Sequence, residues 1–439
     1  MMKKSHLFKV CVALSLYLSQ SSHAQDLFDL YQTAQRTNAN WAGQQYDYLA
    51  NQKNLDFAKG DLFPQVGLQG SVKRNHFYPS DDATPDAGNG VAQLGIGFRQ
   101  ALWRADKWAT YEKAQLADQA NDLQLLQQHQ QLTEQVIKAY LGALQAEAMT
   151  DSLNAEYTAI KAQDAMMQAR LQQGVVARVD TEETRARLES VRALLANNEI
   201  AITTAKQQLS LLTGQAVDKL DSLAQPFNSE LVSSKSIDDW LRLAQQQNLD
   251  IQLAQTKLAI ANKQVDFLKS NLYPRVDFVG NVGWQNNTND SPMNADGTNY
   301  SLGVELEMPL YTGGRTLKGL QQGTLQAQAD ESRLRFAYQA VMTQTSQAYL
   351  KLMGQKATIT AQQTAVQANA KVAQASKVGY DLGVRSMVDT LLAERQYHAS
   401  QRELINAYFE YLNAYVDLQK ATGTLGEDTV RKIDGLLVN

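Results

Sequence analysis

The chain has 439 residues, a formal charge of -4 and a single cysteine, Cys11. An acidic balance argues against a nucleic-acid partner, because phosphate binding needs a surplus of Lys and Arg. Cys11 lies within the first 24 residues, so a chain processed after them carries no disulfide, no thiolate catalyst and no cysteine metal site.

Residues 1–24 read as a signal peptide. Lys3, Lys4 and Lys9 precede an apolar stretch from Val10 to Leu18, and Ser22-His23-Ala24 supplies the small residues of a cleavage site. The apolar run is far shorter than the roughly 20 residues of a spanning helix, which disfavours a membrane anchor. Cleavage is expected after Ala24, and loss of the three lysines takes the charge from -4 to -7.

From there the chain is written twice. Phe63-Pro64-Gln65-Val66 recurs as Tyr273-Pro274-Arg275-Val276, and Ala34-Gln35, Asn38 and Asp56-Phe57 recur as Ala244-Gln245, Asn248 and Asp266-Phe267. Val179-Asp180-Thr181 and Thr213-Gly214 return as Val388-Asp389-Thr390 and Thr422-Gly423. Residues 25–214 form the first repeat, 215–236 a linker, 237–423 the second repeat and 424–439 a tail. Such long copies argue for duplicated halves of one body rather than for a solenoid.

Each repeat reads as helix, two strands, long helix, turn, helix. Helices are expected over about 26–60, 106–173 and 180–213, and over 237–270, 314–377 and 387–422. Proline is missing from these reaches, and Ala, Gln, Leu, Lys, Arg and Glu dominate them. A helix over 106–173 runs roughly 100 Å at 1.5 Å per residue, beyond any ordinary core helix. Apolar positions such as Leu132, Val136, Tyr140 and Leu144 step by four, as a packed stripe requires. The stripe is rich in alanine, which favours helices packed on two neighbours over a dimeric coiled coil.

Strands are expected over about 65–78, 91–103, 275–286 and 298–309. Tyr300, Leu302, Val304, Leu306 and Met308 alternate with Asn299, Ser301, Gly303, Glu305 and Glu307, the pattern of a sheet with one apolar and one polar face. A half-buried sheet in a soluble domain would alternate too. Aromatic residues at matched strand ends, Phe63, Trp103, Tyr273 and Tyr311, favour a membrane girdle instead. The polar tips, Pro79 to Gly90 and Asn287 to Thr298, belong in water.

Four strands cannot close a membrane barrel, and an open edge in lipid costs several kcal/mol for each unsatisfied backbone group. The chain is therefore expected to oligomerise. Two copies give eight strands with a filled interior, three give twelve and room for a lumen.

Several motifs now carry a family likeness: Met308-Pro309-Leu310-Tyr311-Thr312-Gly313-Gly314, the turn from Gly379 through Tyr380 to Asp389, and Ala421-Thr422-Gly423-Thr424-Leu425. Together with the duplication they resemble the TolC family of outer membrane efflux and secretion channels, over essentially the whole processed chain. The resemblance implies a mainly α fold with a β-barrel portion. In it a homotrimer forms a twelve-stranded outer membrane barrel, continued by a long periplasmic α-helical barrel. The implied partners are a periplasmic adaptor protein, an inner-membrane pump, ATP- or proton-driven, and outer membrane lipid.

The turn after each long helix, Gly174 to Asp180 and Gly383 to Asp389, falls at the far end from the strands and is expected to form the tunnel entrance. Asp180 and Asp389 are expected to open the following helices as N-caps. The resemblance adds a gate in which Asp180 and Tyr380 form one link, Arg385 another, and Asp389 a carboxylate ring. Val179 and Leu392 stand where that family pattern has polar residues. The resemblance also implies adaptor docking at Gly174, Val175, Gly383 and Val384.

No catalytic, cofactor or metal-binding residue is expected. His76, His129 and His398 lack ligand spacing, and no nucleophile-base pair or phosphate loop stands out. The competing reading is a periplasmic adaptor with a long helical hairpin. Such a protein is expected to carry lipoyl-like β-modules and to lack the paired amphipathic strands seen here. A trimeric adhesin is a third reading, but it does not need the duplication.

Overall fold

The computed structural model describes residues 25–77, 87–224, 227, 231, 235–287 and 296–438. The expected signal peptide and most of both loop tips lie outside the described residues. In chain order the elements are α1 (Leu27–Thr37), α2 (Ala39–Gly60), β1 (Gln65–Phe77), β2 (Ala87–Trp103), α3 (Ala105–Gln172) and α4 (Arg178–Thr213). The linker holds β3 (Ser222–Leu223). The second repeat supplies α5 (Ile237–Gln247), α6 (Leu249–Ser270), β4 (Arg275–Asn287), β5 (Gly297–Glu307), α7 (Arg315–Asp381) and α8 (Met387–Ala421). The tail adds α9 (Glu427–Asp434) and β6 (Leu437–Val438).

The first helix of each repeat differs from the single helix expected: it breaks, at Asn38 and at Asn248. Asn38 is extended, with φ -66° and ψ 115°, and its own N–H closes α1 on Ala34 O. Its side chain does two further things. Oδ1 accepts the Trp41 N–H at 2.9 Å to open α2, and Nδ2 donates to Leu212 O at 3.0 Å, satisfying a carbonyl that the end of α4 leaves free. In the second repeat Asn248 Nδ2 donates to Ala421 O at 2.8 Å. The duplicated Asn and the duplicated Thr-Gly are thus two halves of one junction. Gly423 makes it possible: at φ +78°, a Cβ there would stand 2.3 Å from Gln247 O.

The chain divides into two compact units, one of residues 45–125 and 250–338, the other of residues up to 44, 126–249 and 339–439. The first contains a four-stranded antiparallel sheet in the order β1-β2-β4-β5. Its register sets Leu68 opposite Ile96, Ile96 opposite Val282, Val282 opposite Tyr300, and Val276 opposite Leu306, so one face is apolar across all four strands. Leu68, Ile96, Val282, Tyr300 and Leu306 are all exposed. On the other face Arg99 bridges Asp277 at 2.8 Å and Glu305 at 2.9 Å. Asp277, buried, also receives Arg104 at 2.9 Å, which fastens the start of α3 to β4. The helical part of this unit buries alanines, Ala58, Ala109, Ala120, Ala261 and Ala327, as close helix approach requires.

The second unit has the larger side chains. Leu27, Leu30 and Tyr31 of α1, Val136, Ile137 and Tyr140 of α3, Phe409, Tyr411, Leu412 and Tyr415 of α8, and Val430 and Ile433 of α9 are all nearly inaccessible. Between Tyr408 and Leu418, α8 is buried at almost every position, so it runs through a core instead of lying on one. The linker and tail close around it through the pairing of β3 with β6. No helix among the described residues is long and apolar enough to cross a membrane.

Candidate functional site

The expected entrance residues lie on the turns α3–α4 and α7–α8, both in the second unit. Gly174 and Gly383 take positive φ, 71° and 74°, the left-handed conformation that ends a helix and reverses the chain. Val175 and Val384, next in sequence, are 70% and 75% exposed. These two apolar tips therefore present branched side chains directly to solvent.

Neither aspartate is an N-cap, contrary to expectation. Ser386 caps α8: its hydroxyl accepts the Asp389 N–H at 3.1 Å, and the Asp389 carboxylate accepts the Ser386 N–H and O–H in return. This is a capping box with Asp389 in the third helical position. Hydrogen bonds from the Ser386 hydroxyl and N–H, with Arg385 nearby, hold the Asp389 carboxyl below its ordinary range. At α4 the cap is Ala177, which offers no side-chain acceptor, and Asp180 again sits third. Ser-x-x-Asp was visible in the sequence as a capping-box signature; reading Asp389 as the cap itself overlooked Ser386.

Tyr380 and Asp180 are not joined within the chain. The Tyr380 hydroxyl lies 3.5 Å from Met167 Sδ, and the Arg170 guanidinium stands 5.9 Å from its ring centre. Met167, Met387 and Leu391 form a buried cluster, with Val176 and Tyr380 packed against it. Arg385 Nη1 donates to Ser376 Oγ at 3.1 Å, within its own hairpin, and Asp389 is exposed. Val179 and Leu392 are exposed too, at 65% and 56%. Sequence reading missed the methionines, whose only signal was apolar residues close to a solvent-facing turn.

Further from the tips, Glu156 of α3 is fully buried and receives Arg187 of α4 and Arg402 of α8. One carboxylate thus joins three helices. Beside it burial pushes the Glu394 carboxyl up, with Lys377 and Arg187 opposing, and burial pushes the His398 imidazole down.

In the other unit the antiparallel register brings Phe63, Trp103, Tyr273 and Tyr311 to one end of the sheet, where β1 and β4 begin and β2 and β5 end. All four are more than half exposed.

The sequence profile of the outer membrane efflux protein family matches residues 30–215 and 240–424, the two repeats in turn. The chain belongs to this family. It is 27% identical over 441 residues to the outer membrane protein TolC of Vibrio cholerae, covering 99% of this chain and 98% of that protein. It is 23% identical over 433 residues to the alkaline protease secretion protein AprF of Pseudomonas aeruginosa, covering 94% and 88%. The fold is also that of the outer membrane protein VceC from Vibrio cholerae, with a TM-score of 0.78 at 19% identity, covering 90% and 96%. As a member of the outer membrane efflux family, the protein is an outer membrane channel and not an adaptor. The duplicated layout, with paired strands between helices, is the architecture of that family.

Proposed function

We propose that three copies of this chain close one twelve-stranded barrel in the outer membrane. Their helices form a periplasmic tunnel for drugs, secreted proteins or both. The observation that carries this reading is the sheet itself. In the order β1-β2-β4-β5, strands β1 and β5 each have one unpaired edge, and one face of the sheet is apolar and exposed. Hydrocarbon suits the face and penalises the edges. Pairing β5 of one copy with β1 of the next removes every edge, and twelve strands leave a water-filled lumen where eight do not. The family supports a conduit rather than a catalyst.

Phe63, Trp103, Tyr273 and Tyr311 then sit at the inner membrane-water boundary of the barrel. The α3–α4 and α7–α8 turns form the periplasmic entrance, gated by Asp180, Tyr380, Arg385 and Asp389. Gly174, Val175, Gly383 and Val384 form the surface met by a periplasmic adaptor, which links the channel to an inner-membrane pump. Asp180, half-buried within one chain and not joined to Tyr380 there, is available to Tyr380 of a neighbouring copy.

The channel reading is tested in planar bilayers. Purified protein is expected to run as a trimer and to conduct; a stable water-soluble monomer without affinity for lipid or detergent would overturn it. Arg385→Ser combined with Tyr380→Phe is expected to raise single-channel conductance, and an unchanged value removes both residues from the gate. A bulky charged replacement, Gly383→Arg, is expected to abolish export with the trimer intact. Persisting export moves adaptor docking away from the turn.

A further inference from the structure

Gln25, the first described residue, is tied into the second unit by its backbone. Its N–H donates to Lys219 O at 2.9 Å, it bridges Leu220, and its carbonyl accepts the Tyr140 hydroxyl at 3.3 Å. Three carboxylates from three segments interact electrostatically here. Asp26 caps α1, Asp434 of α9 accepts the Phe28 N–H at 3.3 Å, and Asp221 lies in the linker. Asp221 is 5% exposed and its Oδ1 has no hydrogen-bond partner; the buried Gln25 Oε1 has none either.

The electrostatics at this point are one-sided. Burial first, and then Asp26, push Asp221 up, with Lys219 opposing. Burial and Asp26 likewise push Asp434 up, and burial with Asp221, Asp434 and Asp26 raises Tyr140. Arg431 of α9 is engaged elsewhere, with Glu427 and over the Phe28 ring. Two buried acceptors without donors, beside carboxylates that raise one another with Lys219 opposing only at Asp221, describe a site lacking a cation. Among the described residues, no acidic or histidine group is arranged to hold a metal.

We propose that removal of residues 1–24 creates this cation, the α-ammonium of Gln25, and seats it among Asp26, Asp221 and Asp434 as a latch that forms only in the processed protein. Hydrolysis of the Ala24–Gln25 amide breaks one C–N bond. Water supplies hydroxyl to Ala24 and a proton to the Gln25 nitrogen, which takes up one more proton at neutral pH. The amide has one N–H, already given to Lys219 O; the ammonium has three. The two new donors suit the acceptors now without partners, as charge-assisted hydrogen bonds. The latch joins the new N-terminus to the linker and to α9, so the segments that close around α8 are secured only after export from the cytoplasm. The inference rests on the signal-peptide reading and not on the gate or the trimer.

The test begins with the intact mass of protein purified from outer membranes. Gln25 is expected as the first residue with a free amine; a different first residue, or a pyroglutamate, overturns the proposal. Trace acetylation across a pH series, read by mass spectrometry of the N-terminal peptide, then gives the titration of the amine. It is expected above the ordinary α-amino range of about 7.7–8.0, the neighbouring carboxylates outweighing burial in favour of the charged form. Asp221→Asn is expected to return it toward that range with lysine peptides unchanged, and Asp434→Asn serves if the first variant does not assemble. Titration in the ordinary range, no response to these variants, or a response to calcium chelation in place of them overturns the latch. Bilayer conductance, measured on the same protein, reports on the channel and is independent of each of these outcomes.

Discussion

The two helical turns of the second unit come from one template and are stitched differently. In the α7–α8 turn, Val384 and Arg385 N–H groups return to Gly379 O, Arg385 reaches Ser376, Thr390 Oγ1 donates to Ser376 O, and Ser386 and Asp389 close a capping box. The α3–α4 turn has the backbone returns of Gly174 to Leu171 O and Val175 to Arg170 O, but Ala177 stands in the place of Ser386 and Val176 in the place of Arg385. Duplication gave both turns the same course; divergence kept the capping box and the Arg385–Ser376 bond in only one. The α3–α4 turn is therefore expected to be the looser of the two, held mainly by Val176 packed against Met167, Met387 and Leu391.

Further along α3, Glu156 ties that helix to α4 and α8, and its replacement is the change expected to have the largest effect. Glu156→Gln removes the buried charge that two half-buried arginines share, at a cost of about 3–5 kcal/mol for breaking a buried ion pair. Thermal unfolding and trypsin cleavage of the α3–α4 hairpin are expected to shift together. An unchanged melting curve means the hairpin is anchored elsewhere, and the contrast between the turns loses its physical basis.

The next change acts on the contrast directly. Ala177→Ser restores a hydroxyl three residues before Asp180 and so offers α4 the same box that α8 has; Ser386→Ala removes the box from α8. N-cap hydroxyls are worth about 0.5–2 kcal/mol. Hydrogen exchange is expected to slow in the first turn of α4 in the former and to quicken in the first turn of α8 in the latter. Equal exchange at both turns in the unmodified protein would erase the asymmetry. If the looser turn is the one that yields when the channel opens, Ala177→Ser is also expected to lower open probability in bilayers.

Much of this was legible in the sequence, for identifiable reasons. The long helices and the four strands follow from residue period and proline placement, which act locally, and the strand ends fell within a few residues of where the alternation stops. The breaks at Asn38 and Asn248 were not read, because the partners that stabilise them, Leu212 O and Ala421 O, lie about 170 residues away in sequence. Helix α9 and the β3–β6 pair were hidden for the same reason: elements this short depend on the core that they cover. At the candidate site the turns and their glycines were legible. The roles of Asp389 and Tyr380 within the chain were not, since one depends on Ser386 taking the cap and the other on Met167, which is distant in sequence.

A half-buried histidine of the second unit, His129, adds a second titrating group to the comparison. His129 Nε2 lies 2.8 Å from Gln35 Nε2 and 3.2 Å from the Tyr31 hydroxyl, and burial holds its pKa below the ordinary value. The folded form therefore binds its proton less readily than the unfolded chain. Its contribution to stability is complete above the ordinary histidine value, about 6.5, and is lost as pH falls through the lower folded value. His129→Gln is expected to flatten the fall in melting temperature between about pH 7 and about pH 5; an unaltered slope assigns that fall to other groups.

The smallest expected effect separates the turns by acid alone. The Asp389 carboxyl is held below its ordinary range by Ser386, so the sign is that of a depressed acid: the capping box is complete above the unfolded value, about 3.9, and is lost as pH falls through the folded one. Exchange of the first-turn amides of α8, corrected for its intrinsic pH dependence, is expected to accelerate over that window in the unmodified protein and to show no such step in Asp389→Asn. The first turn of α4 has no hydroxyl cap to lose, because Ala177 offers Asp180 none. A step of equal size at both turns would mean that the aspartates act through the helix dipole, which α4 and α8 share, and not through the box that only α8 possesses.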